Sequence, residues 1–253
     1  MPKFAANLSF MFSDIPFLDR FAAAADCGFK AVEYLFPYDF EPDVLKAKLD
    51  AAGLEQALFN LSPGNWDAGE RGLAAMPGRE IEFDAAVTRA LDYADALGNR
   101  LIHAMPGLRH HGANHATYVS NLKRGSAMAA DRGRTLIIEP INQRDIPGFF
   151  LSTTAQARGV IAEVGSENLA LQFDLYHRQI EEGDVARAIG EFGHLAAHYQ
   201  VANPPDRAEP DHGEMNYAYL FDVLDATGYD GWVGCEYKPR GDTRALQRPQ
   251  EQE

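Results

Sequence analysis

Seven times along this 253-residue chain an apolar stripe of helical period runs into a glycine, and within a few residues a short β-prone run follows. The glycines are Gly28, Gly53, Gly98, Gly133, Gly165, Gly193 and Gly228. Each can take the positive φ that closes a helix, where a Cβ would be penalised. Phe83, Ala86, Val87, Ala90, Leu91, Ala94 and Leu97 form such a stripe before Gly98, and Phe17, Leu18, Phe21, Ala22 and Ala25 form one before Gly28. The runs that follow are Ala31–Phe36, Gln56–Leu61, Leu101–Met105, Thr135–Ile141, Leu169–Tyr176, Ala197–Ala202 and Trp232–Tyr237, and Phe4–Phe10 at the start makes eight.

Strands this continuously apolar have no wet face, so the pattern predicts parallel strands covered on both sides. A closed (β/α)₈ TIM barrel, one α/β domain over residues 1–244, is the economical solution, with an open doubly wound sheet as the alternative. No Gly-x-Gly-x-x-Gly follows the first run, which counts against a dinucleotide-binding version of that sheet. After Tyr237 only Gly241–Glu253 can supply an eighth helix. That helix is expected to be short or irregular, or borrowed from a neighbour in a homo-oligomer, with 245–253 as a polar tail.

Composition narrows the function. A chain 46% hydrophobic and 24% charged buries a large core. Its net charge of −14 repels phosphate backbones and anionic headgroups, so neither nucleic acid nor a membrane surface is an expected partner. No apolar span of about 18 residues occurs, and the start, Met1-Pro2-Lys3 and a short apolar run broken at Asn7, lacks a secretion pattern, so a cytoplasmic location is expected. Cys27 and Cys235 are too few for a disulfide framework and are expected to be reduced thiols.

In a barrel the C-terminal strand ends form the working face. Glu139 closes Leu136-Ile137-Ile138, Asp174 follows Leu171-Gln172-Phe173, Gln200 follows Ala197-His198-Tyr199, and Glu236 follows Val233-Gly234-Cys235. They fall on strands five to eight, one arc of the mouth. Three carboxylates converging there repel one another unless a cation lies between them. All-oxygen donors point to a hard ion, Mg²⁺ or Mn²⁺. Glu33 is a fifth candidate, expected to form a structural ion pair inside the barrel. His177, three residues past Asp174, lies within reach of a substrate oxygen. The long loop from Asn60 to Gly72 carries Trp66 and Arg71, which are candidates for a lid and for a cation facing an anionic substrate group, or for a rigid surface loop.

Asn7-Leu8-Ser9-Phe10-Met11-Phe12, Ala31-Val32-Glu33-Tyr34-Leu35-Phe36-Pro37-Tyr38, Gly69-Glu70-Arg71-Gly72, Ile138-Glu139-Pro140-Ile141-Asn142, Asp174-Leu175-Tyr176-His177 and Gly231-Trp232-Val233-Gly234-Cys235-Glu236-Tyr237 resemble the hydroxypyruvate isomerase family of the xylose-isomerase-like TIM barrels. The resemblance runs from about Lys3 to Arg244. It implies interconversion of hydroxypyruvate and 2-hydroxy-3-oxopropanoate with a divalent metal and without NAD, flavin or PLP. Carried over residue by residue, it makes Glu139 and Glu236 the acid–base pair and Glu139, Asp174, Gln200 and Glu236 the metal ligands. Similarity to related sugar epimerases of the superfamily implies His177, and approximately Arg207, as substrate-binding residues. The stretch from Ala202 to Pro210 departs from the family pattern at Asn203, Asp206 and Ala208, and Met105-Pro106-Gly107 replaces a more usual Met-Ala-Gly.

Other readings stay open at this stage. The same site suits a 2-oxo-tetronate isomerase or a ketose 3-epimerase. A retaining glycoside hydrolase would use the paired glutamates but leave Asp174 and Gln200 unexplained. A non-catalytic barrel that binds sugar acids is the remaining option.

Overall fold

The computed structural model describes residues 2–241 and 243. Eight strands, each parallel to its neighbours, close into a barrel in sequence order: β1 (Lys3–Asn7), β2 (Ala31–Glu33), β3 (Glu55–Asn60), β4 (Leu101–His103), β5 (Thr135–Ile138), β6 (Leu169–Asp174), β7 (Ala196–Val201) and β8 (Trp232–Cys235). β1 pairs with β8 from Lys3↔Trp232 to Ala6↔Cys235, so no edge strand remains. The fold is the (β/α)₈ barrel that the alternation predicts, and the open sheet is excluded. Most of the expected runs overshoot their strands at the C-terminal end, because there the chain leaves the ladder to form the mouth.

Eight α-helices wrap the described barrel: α1 (Arg20–Asp26), α2 (Pro42–Ala52), α3 (Glu80–Leu97), α4 (His115–Asp131), α5 (Thr154–Val164), α6 (Leu175–Glu181), α7 (Val185–Phe192) and α8 (Tyr217–Ala226). α6 and α7 both follow β6. Residues 236–241 and 243 after β8 carry no helix, and the other residues of the expected eighth segment and the 245–253 tail lie outside the described residues. The α3 stripe ending in Leu97 is buried along its whole length. Such burial, at about 25 cal/mol per Å² of apolar surface, is what holds these helices to the barrel.

Six of the seven helix-stop glycines have positive φ, from 62° at Gly53 to 90° at Gly28. Gly193 is the exception. It has φ −57° and opens a 3₁₀ turn, and a Cβ there would lie 2.8 Å from the Tyr199 hydroxyl, so its glycine serves close packing. Inside the barrel, Ala5, Leu58 and Ile137 belong to a small separate apolar cluster. Each lies two positions before a polar residue at the strand end, Asn7, Asn60 and Glu139, and side chains two apart share a face. The cluster is therefore the apolar layer under the mouth.

The β3 loop is tied down by backbone pairing rather than left free. Gly72 bridges Pro106, and Ala74 N donates to Met105 O at 3.2 Å. At Gly72 (φ 123°) a Cβ would meet Met105 O at 2.2 Å, whereas at Gly53 (φ 62°) it would meet nothing within 4 Å. Gly53→Ala is expected to cost about 1–2 kcal/mol, the left-handed backbone penalty alone. Gly72→Ala should cost at least about 3 kcal/mol, because strain adds to displaced backbone. Urea midpoints read with an unchanged slope check the ranking.

Candidate metal centre and active site

Every strand delivers a buried polar residue to the mouth. Asn7, Glu33, Asn60, His103 and Asp174 end β1, β2, β3, β4 and β6, Gln200 is the penultimate residue of β7, and Glu139 and Glu236 follow β5 and β8 directly. These residues, Asp174 apart, line a cavity of about 170 Å³, small against the roughly 300–1,000 Å³ of drug-sized sites. Phe10, Phe36, Trp66, Met105 and Ile146 form its apolar wall. Polar floor and apolar wall suit a compact substrate of a few carbons.

Glu139, Asp174, His177 and Glu236 each offer a ligand atom, all within 4.8 Å of one another, and all four residues are buried. Asp174 Oδ1 accepts from Tyr176 N (2.7 Å) and His177 N (3.3 Å), capping α6, while Oδ2 has no hydrogen-bond partner. Glu139 Oε1 is likewise unpartnered. Buried carboxylate oxygens left without donors are costly unless protonated or bound to a cation. Burial, and then the Glu236 and Asp174 charges, raise Glu139 well above the ordinary carboxylate value. Burial lifts Glu236 to about 8 and Asp174 to about 6, with Arg207 pulling both back. The residues fit a hard divalent ion.

Arg207 is the cation already in place. Its Nη2 donates to Glu236 Oε2 at 2.5 Å and lies 3.8 Å from Asp174 Oδ2. Its guanidinium sits between the Phe10 and Tyr176 rings, 5.0 and 5.1 Å from their centroids. Burial opposes its charge, but Glu236, Asp174 and Glu139 outweigh that and raise its pKa. The approximate expectation for Arg207 thus places it directly at the rim.

Burial holds both histidines neutral, His103 at about 3 and His177 well below the usual imidazole value, the latter also by Arg207. Asn142 Nδ2 donates to His177 Nδ1 at 2.6 Å, so the ring proton resides on Nε2, which faces Glu139 (3.8 Å) and Asp174 (3.7 Å). His177 therefore presents an N–H donor to the cavity. His103 Nδ1 lies 3.5 Å from Glu139 Oε2.

Gln200 stands at the mouth, its Oε1 accepting from Gln172 Nε2 (2.5 Å) and its Nε2 donating to Glu33 Oε1 (2.8 Å). Glu33 Oε2 lies 2.6 Å from His198 Nε2, a buried contact inside the barrel at the place where a structural pairing is expected. Arg71 does not line the cavity. Its guanidinium stacks on Trp66, 3.7 Å from the ring centroid, and Nη1 donates to the Trp66 and Glu70 carbonyls. Arg71 is paired to neither Glu70 nor Asp67 through a carboxylate, since the Glu70 side chain instead meets Arg79. Trp66 itself lines the cavity, edge-on to Phe36 with centroids 5.4 Å apart.

Asn7, Asn60 and His103 escape a search for charged strand ends, although each closes an apolar run as Glu139 does. Asn7 Nδ2 donates to Glu33 Oε1 at 2.9 Å and to Glu236 Oε1 at 3.4 Å.

Comparison with known proteins adds family evidence to this geometry. The family model for the xylose isomerase-like TIM barrel matches residues 21–252. The chain is 54% identical over 253 residues to a 2-oxo-tetronate isomerase of Cupriavidus necator, covering 97% of this chain and 96% of that protein. It is 47% identical to the hydroxypyruvate isomerase of Escherichia coli K12, covering 97% and 96%. A crystal structure described as an AP endonuclease, family 2, from Brucella melitensis superposes with a TM-score of 0.95 at 49% identity, covering 97% and 96%.

A raised carboxylate binds its proton more tightly folded than unfolded, so this cluster's contribution to metal-free stability falls as pH rises from 4.5 through about 8. A divalent ion bound by these carboxylates would have to displace those protons. At pH 7, calorimetry in buffers of differing ionisation enthalpy should show release of about one to two protons per ion bound. Binding without proton release would contradict this protonation state.

Proposed function

The chain belongs to the xylose isomerase-like TIM barrels and, within them, to the hydroxypyruvate isomerase family, and we propose that it is a metal-dependent isomerase of short 3-hydroxy-2-oxo acids. The simplest substrate is hydroxypyruvate, giving 2-hydroxy-3-oxopropanoate. The observation that carries the reading is the pair Glu139 and Glu236 facing one small cavity from β5 and β8, with Asp174 between them in sequence and unpartnered oxygens on two of the three.

The reaction moves a carbonyl from C2 to C3. The C3–H proton leaves to a base, a proton returns to C2 from an acid, and the hydroxyl proton passes from O3 to O2, so atoms balance without a redox partner. One of Glu139 and Glu236 removes the C3 proton while the other, raised by burial, delivers one to C2. Both are buried, which keeps water from quenching the enediolate. Glu139, Asp174, Gln200 and Glu236 would hold the divalent ion, Mg²⁺ or Mn²⁺, whose chemistry is to stabilise negative charge developing on the two substrate oxygens. His177 would donate its Nε2–H to a substrate oxygen and Arg207 would pair with the substrate carboxylate, roles supported by their position beside Glu139 and Glu236. Trp66, backed by Arg71, closes the apolar side.

The four-carbon homologue, 2-oxo-tetronate, undergoes the same shift, and the name of the Cupriavidus relative favours testing it beside hydroxypyruvate. A polyanionic substrate such as DNA suits this chain poorly, given a net charge of −14 and an acidic mouth.

Glu139→Gln and Glu236→Gln should each lower kcat by about 10²–10⁴-fold with an unchanged far-ultraviolet spectrum. Near-normal turnover by either variant would remove it from the acid–base pair. Chelator-treated protein should lose isomerisation and regain it with Mg²⁺ or Mn²⁺, and full activity after demetallation would defeat the metal role. In D₂O, proton NMR should find deuterium at C2 of the product, whereas complete retention of hydrogen would mean a direct hydride shift.

A further inference from the structure

One buried carboxylate at the mouth takes no part in the chemistry above. Glu33 is 0% exposed at the end of β2, where the register with β3 shifts between Val32 and Glu33. Such a bulge re-aims the side chain that follows it. The carboxylate fills room left by Gly234, where a Cβ would lie 2.3 Å from Glu33 Oε1. Oε1 accepts from Asn7 Nδ2 and Gln200 Nε2, and Oε2 from His198 Nε2.

The other end of Gln200 is held as firmly. Its Oε1 accepts from Gln172 Nε2, and Gln172 stands at the barrel's other register shift, between β6 and β7. An amide turned end for end keeps its shape but reverses its polarity, so one face attracts a cation and the other repels it. An ionised carboxylate can only accept, so Glu33 fixes the amide nitrogen on its own side. The oxygen takes one hydrogen bond, from Gln172, which leaves a second lone pair free on a residue that lines the cavity.

We propose that Glu33 is a positioning residue for the cation site, acting through Gln200 by locking its amide with the oxygen toward the ion. This rests on the metal reading above. A purely structural Glu33–His198 pair would tie β2 to β7 and leave ion affinity unchanged.

The test is a double-mutant cycle on Mn²⁺ affinity, with free Mn²⁺ read by electron paramagnetic resonance and cooperative unfolding of each metal-free, full-length protein confirmed. Glu33→Gln should weaken Mn²⁺ binding about 10–100-fold, the usual effect of removing a group that orients a ligand. In a Gln200→Ala background the same change should cost no more than about twofold. Gly234→Ala, which displaces the Glu33 carboxylate from behind without altering a polar group, should behave alike and serves if Glu33→Gln does not fold. Equal losses in both backgrounds would mean that Glu33 acts only by its field, and no loss at all that it is structural; either overturns the proposal. Absence of Mn²⁺ binding by the unsubstituted protein would instead bring down the metal reading itself.

Discussion

Three carboxylates crowded into a buried rim are the constraint from which the rest of this molecule follows. Glu139, Asp174 and Glu236 lie close enough that their charges cannot coexist in a dry site without compensation. The protein compensates in part. Arg207 pairs with Glu236, α6 donates two backbone N–H groups to Asp174, and Asn7 leans toward Glu236. Glu139 Oε1 and Asp174 Oδ2 remain without a hydrogen-bond donor, and those two oxygens are the ones free to take a cation. Neutral histidines beside them add no charge of their own.

The barrel is well suited to creating such crowding and holding it. Closure gives every strand two partners, so the strand ends are fixed relative to one another without help from the loops. Small side chains such as Ala5 and Ala31 fill the layer below, and the polar residues rest on them. The two register shifts fall where Glu33 and Gln172 must turn to meet Gln200. Irregularity is thus confined to the positions that orient the one neutral donor proposed for the ion.

Much of this architecture was legible in the residues. The alternation of helix-stop glycines with apolar runs located all eight strands, and Glu139, Asp174, Gln200 and Glu236 stood out because a polar residue closing a buried strand has few reasons to be there. Asn7, Asn60 and His103 obey the same rule but carry no formal charge, so charge repulsion does not single them out. Arg71 was misleading for the opposite reason. Its charge suggested an anion partner in the cavity, yet it spends its guanidinium on the Trp66 ring and two carbonyls. Gly193 fits the punctuation but not the conformation, because close packing against the Tyr199 hydroxyl, six residues on in β7, decides its identity. The bulge at Glu33 and the order of the amide network depend on strand register, which periodicity cannot supply.

The central claim is that the rim is built around a divalent cation. A crystal structure of the protein soaked in Mn²⁺, with anomalous scattering recorded at the manganese edge, tests it most directly. The account predicts a single strong peak at the mouth, ligated by oxygens of Glu139, Asp174, Gln200 and Glu236, with the Gln200 amide turned oxygen-first. A mouth without anomalous density under saturating Mn²⁺, or a peak that those four side chains do not reach, would contradict it.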